Sequence, residues 1–213
     1  MKKGLTELVF ILDKSGSMGG LEKDTIGGYN AFLLKQKEVE GECFITTVLF
    51  NHSNELLHDR IDLRAVKAIT TSDYVVGGST ALMDAMGMAI QKVISVQKNT
   101  TEEYRAENVL FVIITDGEEN ASKKFGAQQI KDLVNTQKKK GWEFIFLGAN
   151  IDAVETAAQY GIDAPNVADY LADSQGTTNN FEGVSKAVGS MRVKGSLDLE
   201  ALEVIRQDTK KRK

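Results

Sequence analysis

Two patterns of apolar residues alternate along this chain of 213 residues: short apolar runs, and apolar residues spaced three or four positions apart. Short segments rich in Val, Ile, Leu and Phe predict six strands, at residues 7–12, 43–50, 55–63, 108–115, 142–147 and 167–170. The first, fourth and fifth of these segments are almost continuously apolar. Strands that helices cover on both faces have this composition, so we expect these three to be buried on both sides.

Between the strand segments, apolar residues recur every three or four positions, which aligns them on one face of a helix. The clearest series is Leu82, Met86, Ala89, Val93 and Val96; two others are Ile130, Leu133 and Val134, and Phe181, Val184, Ala187, Val188 and Met191. A further helix candidate, between the first and second strand segments, contains Gly27 and Gly28. Glycine costs about 1 kcal/mol relative to alanine in a helix, so we expect these glycines to pack closely against the sheet.

The connections between strands predict how the sheet is arranged. Only four residues, 51–54, separate the second and third strand segments, which predicts an antiparallel hairpin. The other connections carry helices and predict parallel neighbours joined by right-handed crossovers. We therefore predict an α/β fold with a doubly wound, mostly parallel six-stranded sheet, one antiparallel edge strand and helices on both faces.

The chain shows no linker that divides it, so we predict a single domain over residues 1–195. Residues 196–213 are predicted to form a C-terminal helical extension that ends in a basic tail, residues 210–213. In this extension Ser196 would be the N-cap, and Leu199, Leu202 and Ile205 would lie on one side of the helix.

Composition and charge narrow the classes of partner. The chain is 42% hydrophobic and 26% charged, as is typical of a soluble globular protein. Its formal net charge is −4, and the basic tail contributes +4, so residues 1–209 carry −8. An acidic body argues against nucleic acid as the main partner, because phosphate binding needs a basic face.

The single cysteine, Cys43, cannot form an internal disulfide, and we interpret it as a small buried thiol. No apolar stretch is long enough for a signal peptide or a membrane span. We therefore expect a cytoplasmic protein that has no membrane partner.

Three polar segments follow or precede predicted elements in a way that indicates a metal site. Asp13, Ser15 and Ser17 follow the first apolar strand, and Asp116 follows the fourth. Thr80 comes after two glycines, where a helix opens. In a doubly wound sheet with the first strand beside the fourth, ligands bind above the carboxyl ends at the point where the strand order reverses. We therefore expect these five side chains to converge on one cation.

The types of side chain in this set favour a hard divalent cation, which prefers oxygen ligands. Because hydroxyl groups are neutral, a cation held by Ser15, Ser17 and Thr80 keeps most of its positive charge. One octahedral position would lack an anionic ligand, and a carboxylate from another protein would complete it. Small hydroxyl ligands favour Mg²⁺ or Mn²⁺ over Ca²⁺.

The pattern Asp13-x-Ser15-x-Ser17, Gly-Gly-x-Thr80 and Thr-Asp116-Gly resembles the metal-ion-dependent adhesion site of von Willebrand factor type A domains. All five positions of that pattern are present in family order, and the order of strands and helices is similar over roughly residues 5–192. The resemblance implies that Ser15 and Ser17 are direct ligands and that Asp13 acts chiefly through other groups. It also implies that Thr80 and Asp116 exchange between direct and water-mediated contact with the cation.

Members of this family generally bind protein ligands, often through an acidic side chain that completes the metal sphere, and most are not enzymes. The resemblance therefore implies a metal-dependent protein-interaction module whose partner supplies a Glu or Asp. We assign no catalytic residue.

Two alternative functions stay open at this point. A Mg²⁺-dependent phosphoryl-transfer enzyme or phosphatase would need an Asp nucleophile with a second acid two residues later, where this chain has Ser15. A structural subunit of a larger complex, with a non-essential metal site, would bind through a helical face or through residues 196–213.

Other polar residues are given simpler interpretations. His52 and His58 are expected at the surface, since neither has metal-type spacing to a second ligand. Glu118, Glu119 and Asn120 are expected to form a solvated loop at the rim of the metal face, where acidic groups would repel some partners.

Overall fold

The element order alternates strands and helices as predicted. The structure is a computed structural model that describes residues 1–212, so Lys213 of the basic tail lies outside the described residues. The strands are β1 (Lys2–Asp13), β2 (Cys43–Phe50), β3 (Asn54–Asp62), β4 (Ala106–Thr115), β5 (Glu143–Gly148) and β6 (Val167–Asp169). The helices are α1 (Glu22–Lys37), α2 (Leu82–Asn99), α3 (Ala127–Lys138), α4 (Ala153–Gln159), α5 (Ser174–Lys194) and α6 (Glu203–Arg212).

The six strands form one sheet in the order β3-β2-β1-β4-β5-β6. Only β3 is antiparallel to its neighbour, because β2 and β3 form the predicted hairpin; every other pair is parallel. The predicted fold class is therefore confirmed. After β1 the chain builds outward through β2 and β3 and then returns to the other side of β1 as β4, so the strand order reverses between β1 and β4.

Alternate residues of the central strands bury into two separate cores, one on each face of the sheet. Leu8, Phe10 and Leu12 of β1 pack with residues of α1, α5 and α6. Val9 and Ile11 of the same strand pack with residues of α2, α3 and α4 on the opposite face. The near-continuous apolar runs of β1, β4 and β5 are thus explained by burial on both sides.

The C-terminal extension packs against the edge of the sheet. The guanidinium of Arg206 donates to the carbonyl of Val167 at 2.9 and 3.0 Å, and Thr209 Oγ1 donates to the carbonyl of Asp169 at 2.8 Å. Helix α6 thereby covers backbone acceptors of β6 that an edge strand would otherwise expose. The domain boundary after residue 195 stays a prediction.

The predicted N-cap of this extension is wrong. Helix α5 ends at Lys194, and the left-handed backbone of the next residue, Gly195 (φ 72°), turns the chain. Ser196 lies in this turn, where its carbonyl accepts from Ser190 Oγ. The side chain that caps the next turn is Asp198, which accepts from the backbone N–H of Glu200 at 3.1 Å. Leu202 and Ile205, which we expected on one side, are both buried.

The expected contact of the two glycines in α1 is also different from the observed one. Gly28 faces helix α5 rather than the sheet, and a Cβ atom built there would lie 2.2 Å from Cδ2 of Phe181. A Cβ atom on Gly27 would meet nothing within 4 Å. Only Gly28 is therefore required for close packing, and its role is to let α1 and α5 approach each other.

His58 is buried, which contradicts its predicted surface position, whereas His52 is exposed as expected. The side chain of His58 is 8% exposed, and its Nδ1 lies 3.0 Å from Thr47 Oγ1. Tyr29 Oη lies 2.5 Å from the same hydroxyl. Burial lowers the pKa of His58 below its ordinary value of 6.5, an effect that the charge of Asp73 partly opposes.

Among residues 1–212, no helix combines the length and apolar character that crossing a bilayer requires.

Replacing Gly28 with Ala is expected to destabilise the protein, because the added methyl group overlaps the ring of Phe181. Overpacking of this kind costs about 1–3 kcal/mol. Gly27→Ala is the matched control and is expected to stabilise the protein by roughly 0.5–1 kcal/mol, since alanine restricts the unfolded chain without a clash. Urea unfolding of both variants measures the difference, and equal effects of the two substitutions would contradict the assigned contact.

His58 is expected to make the free energy of unfolding fall as the pH drops below about 6.5. The reason is that the unfolded chain binds a proton in a range where the buried imidazole stays neutral, so acid favours the unfolded state. Urea unfolding above and below this pH should show a smaller loss of stability for His58→Gln than for the unaltered protein. His52→Gln, at an exposed position, should keep the full loss; a full loss in both variants would refute the assignment.

Candidate metal centre

The carboxyl ends of β1 and β4 bring together the polar segments that the sequence singles out. Asp13 is the last residue of β1, and Ser15 and Ser17 lie in the turn that follows it. Asp116 comes directly after β4. Thr80 lies two residues before α2, which begins at Leu82 rather than at Thr80 itself. Three loops that are distant in sequence therefore meet at the point where the strand order reverses.

Asp13 is fully buried and both of its carboxylate oxygens accept hydrogen bonds. Its Oδ1 accepts from the backbone N–H of Ser15 at 2.7 Å, and its Oδ2 accepts from Thr115 Oγ1 at 2.6 Å. Burial raises the pKa of Asp13, and these two hydrogen bonds act in the opposite direction. Asp13 therefore ties the loop after β1 to the end of β4 and leaves no oxygen without a partner.

A chain of hydrogen bonds links the two serines to the second aspartate. Ser15 Oγ lies 3.0 Å from Ser17 Oγ, and Ser17 Oγ donates to Asp116 Oδ1 at 2.6 Å. These contacts connect residues that are 99 positions apart in the sequence. Four of the five predicted site residues are thus joined through direct hydrogen bonds.

The hydroxyl of Thr80 belongs to the same cluster, as the space above Gly117 shows. A Cβ atom built on Gly117 would lie 2.9 Å from Ser17 Oγ and 3.4 Å from Thr80 Oγ1. A side chain at this position would displace the hydroxyl of Ser17, so the glycine directly after Asp116 leaves room for that hydroxyl. All five predicted residues therefore surround one small region.

Asp116 has an oxygen that nothing in the described part of the chain satisfies. The residue is 1% exposed, and its Oδ2 has no hydrogen-bond partner among residues 1–212. Burial raises the pKa of Asp116 to about 6, and the charge of Asp13 adds to the effect. An unpaired buried carboxylate oxygen is costly, and a cation beside the neighbouring hydroxyls would offset that cost. The donor set therefore fits a hard divalent ion.

Backbone contacts hold the glycine-rich segment against the serine loop. The N–H of Gly16 donates to the carbonyl of Gly78, and the N–H of Gly77 donates to the carbonyl of Lys14, both at 2.9 Å. Gly78 has a left-handed backbone (φ 82°), and a Cβ atom there would lie 2.1 Å from Nδ1 of His52. The glycines that precede Thr80 thus permit a close approach of three loops.

Sequence reasoning missed the polar groups that position Thr80. Asn120 Oδ1 accepts from the backbone N–H of Thr80 at 2.9 Å, and Glu119 Oε2 accepts from the N–H of Met83 at 2.8 Å. The prediction of a solvated rim is therefore wrong for Glu119, which is half-buried, whereas Glu118 and Asn120 are exposed as predicted. No local signal marks these contacts, because each one spans about 40 positions.

Within residues 1–212, no group of three or more His, Cys, Asp or Glu side chains could hold a metal. The candidate centre combines two carboxylates with three hydroxyls, so hydroxyl oxygens would have to take part in any coordination.

The family model of the von Willebrand factor type A domain matches residues 7–168. This range contains β1 to β6 except for the ends of β1 and β6, and it includes all five candidate ligands. No curated protein sequence matches the chain significantly.

Several solved structures have a similar fold at low sequence identity. The von Willebrand factor domain of the type V pili tip protein Mfa5 from Porphyromonas gingivalis has a TM-score of 0.60 and 11% identity, over 90% of this chain and 97% of that one. The manganese-loaded Plasmodium vivax TRAP protein has a TM-score of 0.54 and 17% identity, over 84% and 72% of the two chains.

A third similar structure is proximal thread matrix protein 1 of the mussel byssus with a zinc-occupied metal-ion-dependent adhesion site. It has a TM-score of 0.56 and 14% identity, over 87% of this chain and 46% of that one. The chain spans less than half the length of this protein and of a type A protein from Catenulispora acidiphila, 42% of which it covers. Because the family model covers most of the chain, this protein belongs to the von Willebrand factor type A domain family.

Proposed function

We propose that this protein is a metal-dependent protein-recognition module. In this proposal Ser15, Ser17, Thr80 and Asp116 hold a divalent cation, and Asp13 orients the serine loop. When bound, the cation supplies an electron-poor coordination position that a Glu or Asp of a partner protein completes. The partner is a protein rather than a nucleic acid or a membrane, and we expect the setting to be cytoplasmic.

The observation that carries the proposal is the unpaired Oδ2 of Asp116, buried next to the hydroxyls of Ser15 and Ser17. Buried polar groups almost always have a partner, and an exception requires an explanation such as an ion. The hydroxyls are neutral, so Asp116, in direct or water-mediated contact, would be the main source of negative charge beside the cation. That balance favours a strong pull on an external carboxylate.

The identity of the cation is also a proposal. Small oxygen ligands favour Mg²⁺ or Mn²⁺, with Ca²⁺ less favoured because it takes six to eight ligands. Among the similar structures, the TRAP protein is manganese-loaded and the mussel protein has zinc in its metal-ion-dependent adhesion site, which supports a divalent ion in this protein as well.

The surface beside the site bears on which acidic partners could dock. A groove of about 340 Å³ adjoins the loop after Asp116 and is lined on its polar side by Glu118, Glu119, Asp152 and Glu155. Like charges disfavour a partner that carries further acidic groups on this side. The partner carboxylate is therefore expected to stand alone or to be accompanied by a basic residue.

We propose binding rather than catalysis because of the burial and hydrogen bonding of Asp13. A phosphatase would use this residue as its nucleophile, but both of its oxygens accept hydrogen bonds and the side chain is fully buried. A nucleophilic oxygen must instead be free to reach the reacting atom. The contacts of Asp13 support a positioning role.

The alternative function is that of a structural subunit that binds through residues 196–213. Truncating this segment is not a suitable test of it. Leu202 and Ile205 are part of a core, and Arg206 and Thr209 cover the edge of β6. Removing this segment would expose apolar surface and destabilise the fold. Substitutions in the serine loop separate the two functions without this complication.

Asp116→Asn is expected to abolish the stabilisation of the protein by Mg²⁺ or Mn²⁺. Without metal the variant should be at least as stable as the unaltered protein, because the substitution removes a buried unpaired charge and an Asn oxygen can still accept from Ser17. At a metal concentration of 100 times Kd, binding should stabilise the unaltered protein by about 2.7 kcal/mol. Thermal unfolding with and without metal, together with calorimetric titration, measures both effects.

Glu118→Gln is the matched control, since it removes the same charge from the same loop at an exposed position. It should retain the metal-dependent gain in stability. If both variants lose the stabilisation by metal, the effect depends on the overall negative charge of the loop and not on coordination by Asp116. If Asp116→Asn is still stabilised by metal, the proposed ligand set is wrong.

Partner recognition is expected to require an acidic residue as well as the metal. Peptides selected on the protein from a random displayed library in Mn²⁺ should carry a common Asp or Glu, and chelation should release them. Replacing that residue with Asn or Gln in a selected peptide should weaken binding at least tenfold, by fluorescence anisotropy. Binders that lack an acid, or that bind equally after chelation or to Ser15→Ala/Ser17→Ala, would refute the proposed mode of recognition.

A further inference from the structure

We infer that Asn120 is a positioning residue that holds the Thr80 hydroxyl at the metal position. The inference rests on the proposed function, because it concerns the geometry of the same site. It assigns a role to the segment after Asp116, residues 117–126, which the ligand pattern leaves without one.

The backbone of Thr80 is bound on both sides by this segment. The N–H of Thr80 donates to Asn120 Oδ1 at 2.9 Å. The carbonyl of Thr80 accepts from the N–H groups of Asn120 and Ala121 at 3.0 and 3.1 Å. Asn120 thus forms a reciprocal pair with Thr80, and all backbone hydrogen bonds of this candidate ligand are made to the loop that carries Asp116.

Glu119 extends the contact into the first turn of α2. That helix has no side-chain cap of its own at Ala81. The Oε2 atom of Glu119 accepts from the N–H of Met83, and its Oε1 accepts from the N–H groups of Ala121 and Ser122, all at 2.8–2.9 Å. A carboxylate at a helix N-terminus satisfies donors that the helix leaves free. Glu119 therefore fixes the start of α2 to the same loop.

The far end of the segment is anchored independently of Thr80. Asp84 accepts from the N–H groups of Lys123, Lys124 and Phe125 at 2.8–3.0 Å. The ring of Phe125 covers Gly87, where a Cβ atom would lie 2.5 Å from the ring. The segment would stay attached to α2 through these contacts even without the Asn120 side chain, so Asn120 is not needed merely to hold the loop.

These contacts determine how far apart two candidate ligands stand. Thr80 and Asp116 belong to different elements, and no covalent path shorter than 36 residues joins them. The hydrogen bonds between Thr80 and Asn120 link the two ligands more directly, because Asn120 lies only four residues after Asp116. Removing the Asn120 side chain would leave the N–H of Thr80 without its acceptor. The two bonds to the Thr80 carbonyl would remain, so the residue would loosen about them and its hydroxyl would shift, while Ser15, Ser17 and Asp116 keep their own contacts.

A double-mutant cycle on Mn²⁺ binding tests this role. Asn120→Ala is expected to weaken Mn²⁺ binding about tenfold, which is typical of groups that orient metal ligands. Thr80→Val removes the hydroxyl and keeps the shape of the side chain. If Asn120 acts through Thr80, Asn120→Ala should have almost no further effect in the Thr80→Val background. Water-proton relaxivity of bound Mn²⁺ should rise equally in both single variants, because a water replaces the hydroxyl.

Asp84→Asn is the matched control, because it weakens the far anchor of the same segment without touching Thr80. It should leave Mn²⁺ affinity within about twofold of the unaltered protein, against the tenfold effect of Asn120→Ala. An equal loss from Asp84→Asn, or an equal loss from Asn120→Ala in both Thr80 backgrounds, would overturn the inference while the proposed function stands. Absence of Mn²⁺ binding by the unaltered protein would overturn the proposed function and the inference with it.

Discussion

The buried carboxylate of Asp13 is the contact on which the rest of the site depends. It lies at the end of β1, accepts from the backbone of the serine loop and accepts from Thr115 at the end of β4. The hydroxyl of Tyr74 donates to the carbonyl of the same residue, which attaches the segment before Thr80. One residue therefore connects the three loops at the reversal of strand order. The parallel pairing of β1 and β4 makes this possible, because it places both strand ends at the same edge.

The electrostatics of the site follow from this arrangement. Both carboxylate oxygens of Asp13 accept hydrogen bonds from protein donors, which partly offset the cost of burying its charge. In Asp116 only one oxygen accepts a hydrogen bond, from Ser17, and the other is buried without a partner among the described residues. Sites that violate the usual satisfaction of polar groups are commonly functional. The difference between the two aspartates supports the division into an orienting residue and a ligand.

The sequence predicts the parts of this structure that depend on local pattern. Apolar runs identify β1, β4 and β5, and the short connection after β2 identifies the hairpin. Tertiary contacts determine what the pattern misses. His58 lies on an edge strand whose pairing with β2 is irregular near Thr47, so alternation does not indicate its burial. The partners of Gly28 and Asn120 are on elements 153 and 40 residues away, and nothing near either residue identifies them.

The proposed metal site is tested most directly by a crystal structure of the protein grown with Mn²⁺, with data collected at the manganese absorption edge. We expect one anomalous peak between the loops after β1 and β4, bonded to hydroxyl oxygens of Ser15 and Ser17 and completed by an acidic group or water. Thr80 and Asp116 would lie in direct or water-mediated contact. A peak elsewhere, or none at this point with Mn²⁺ in excess, would rule out the proposed metal site.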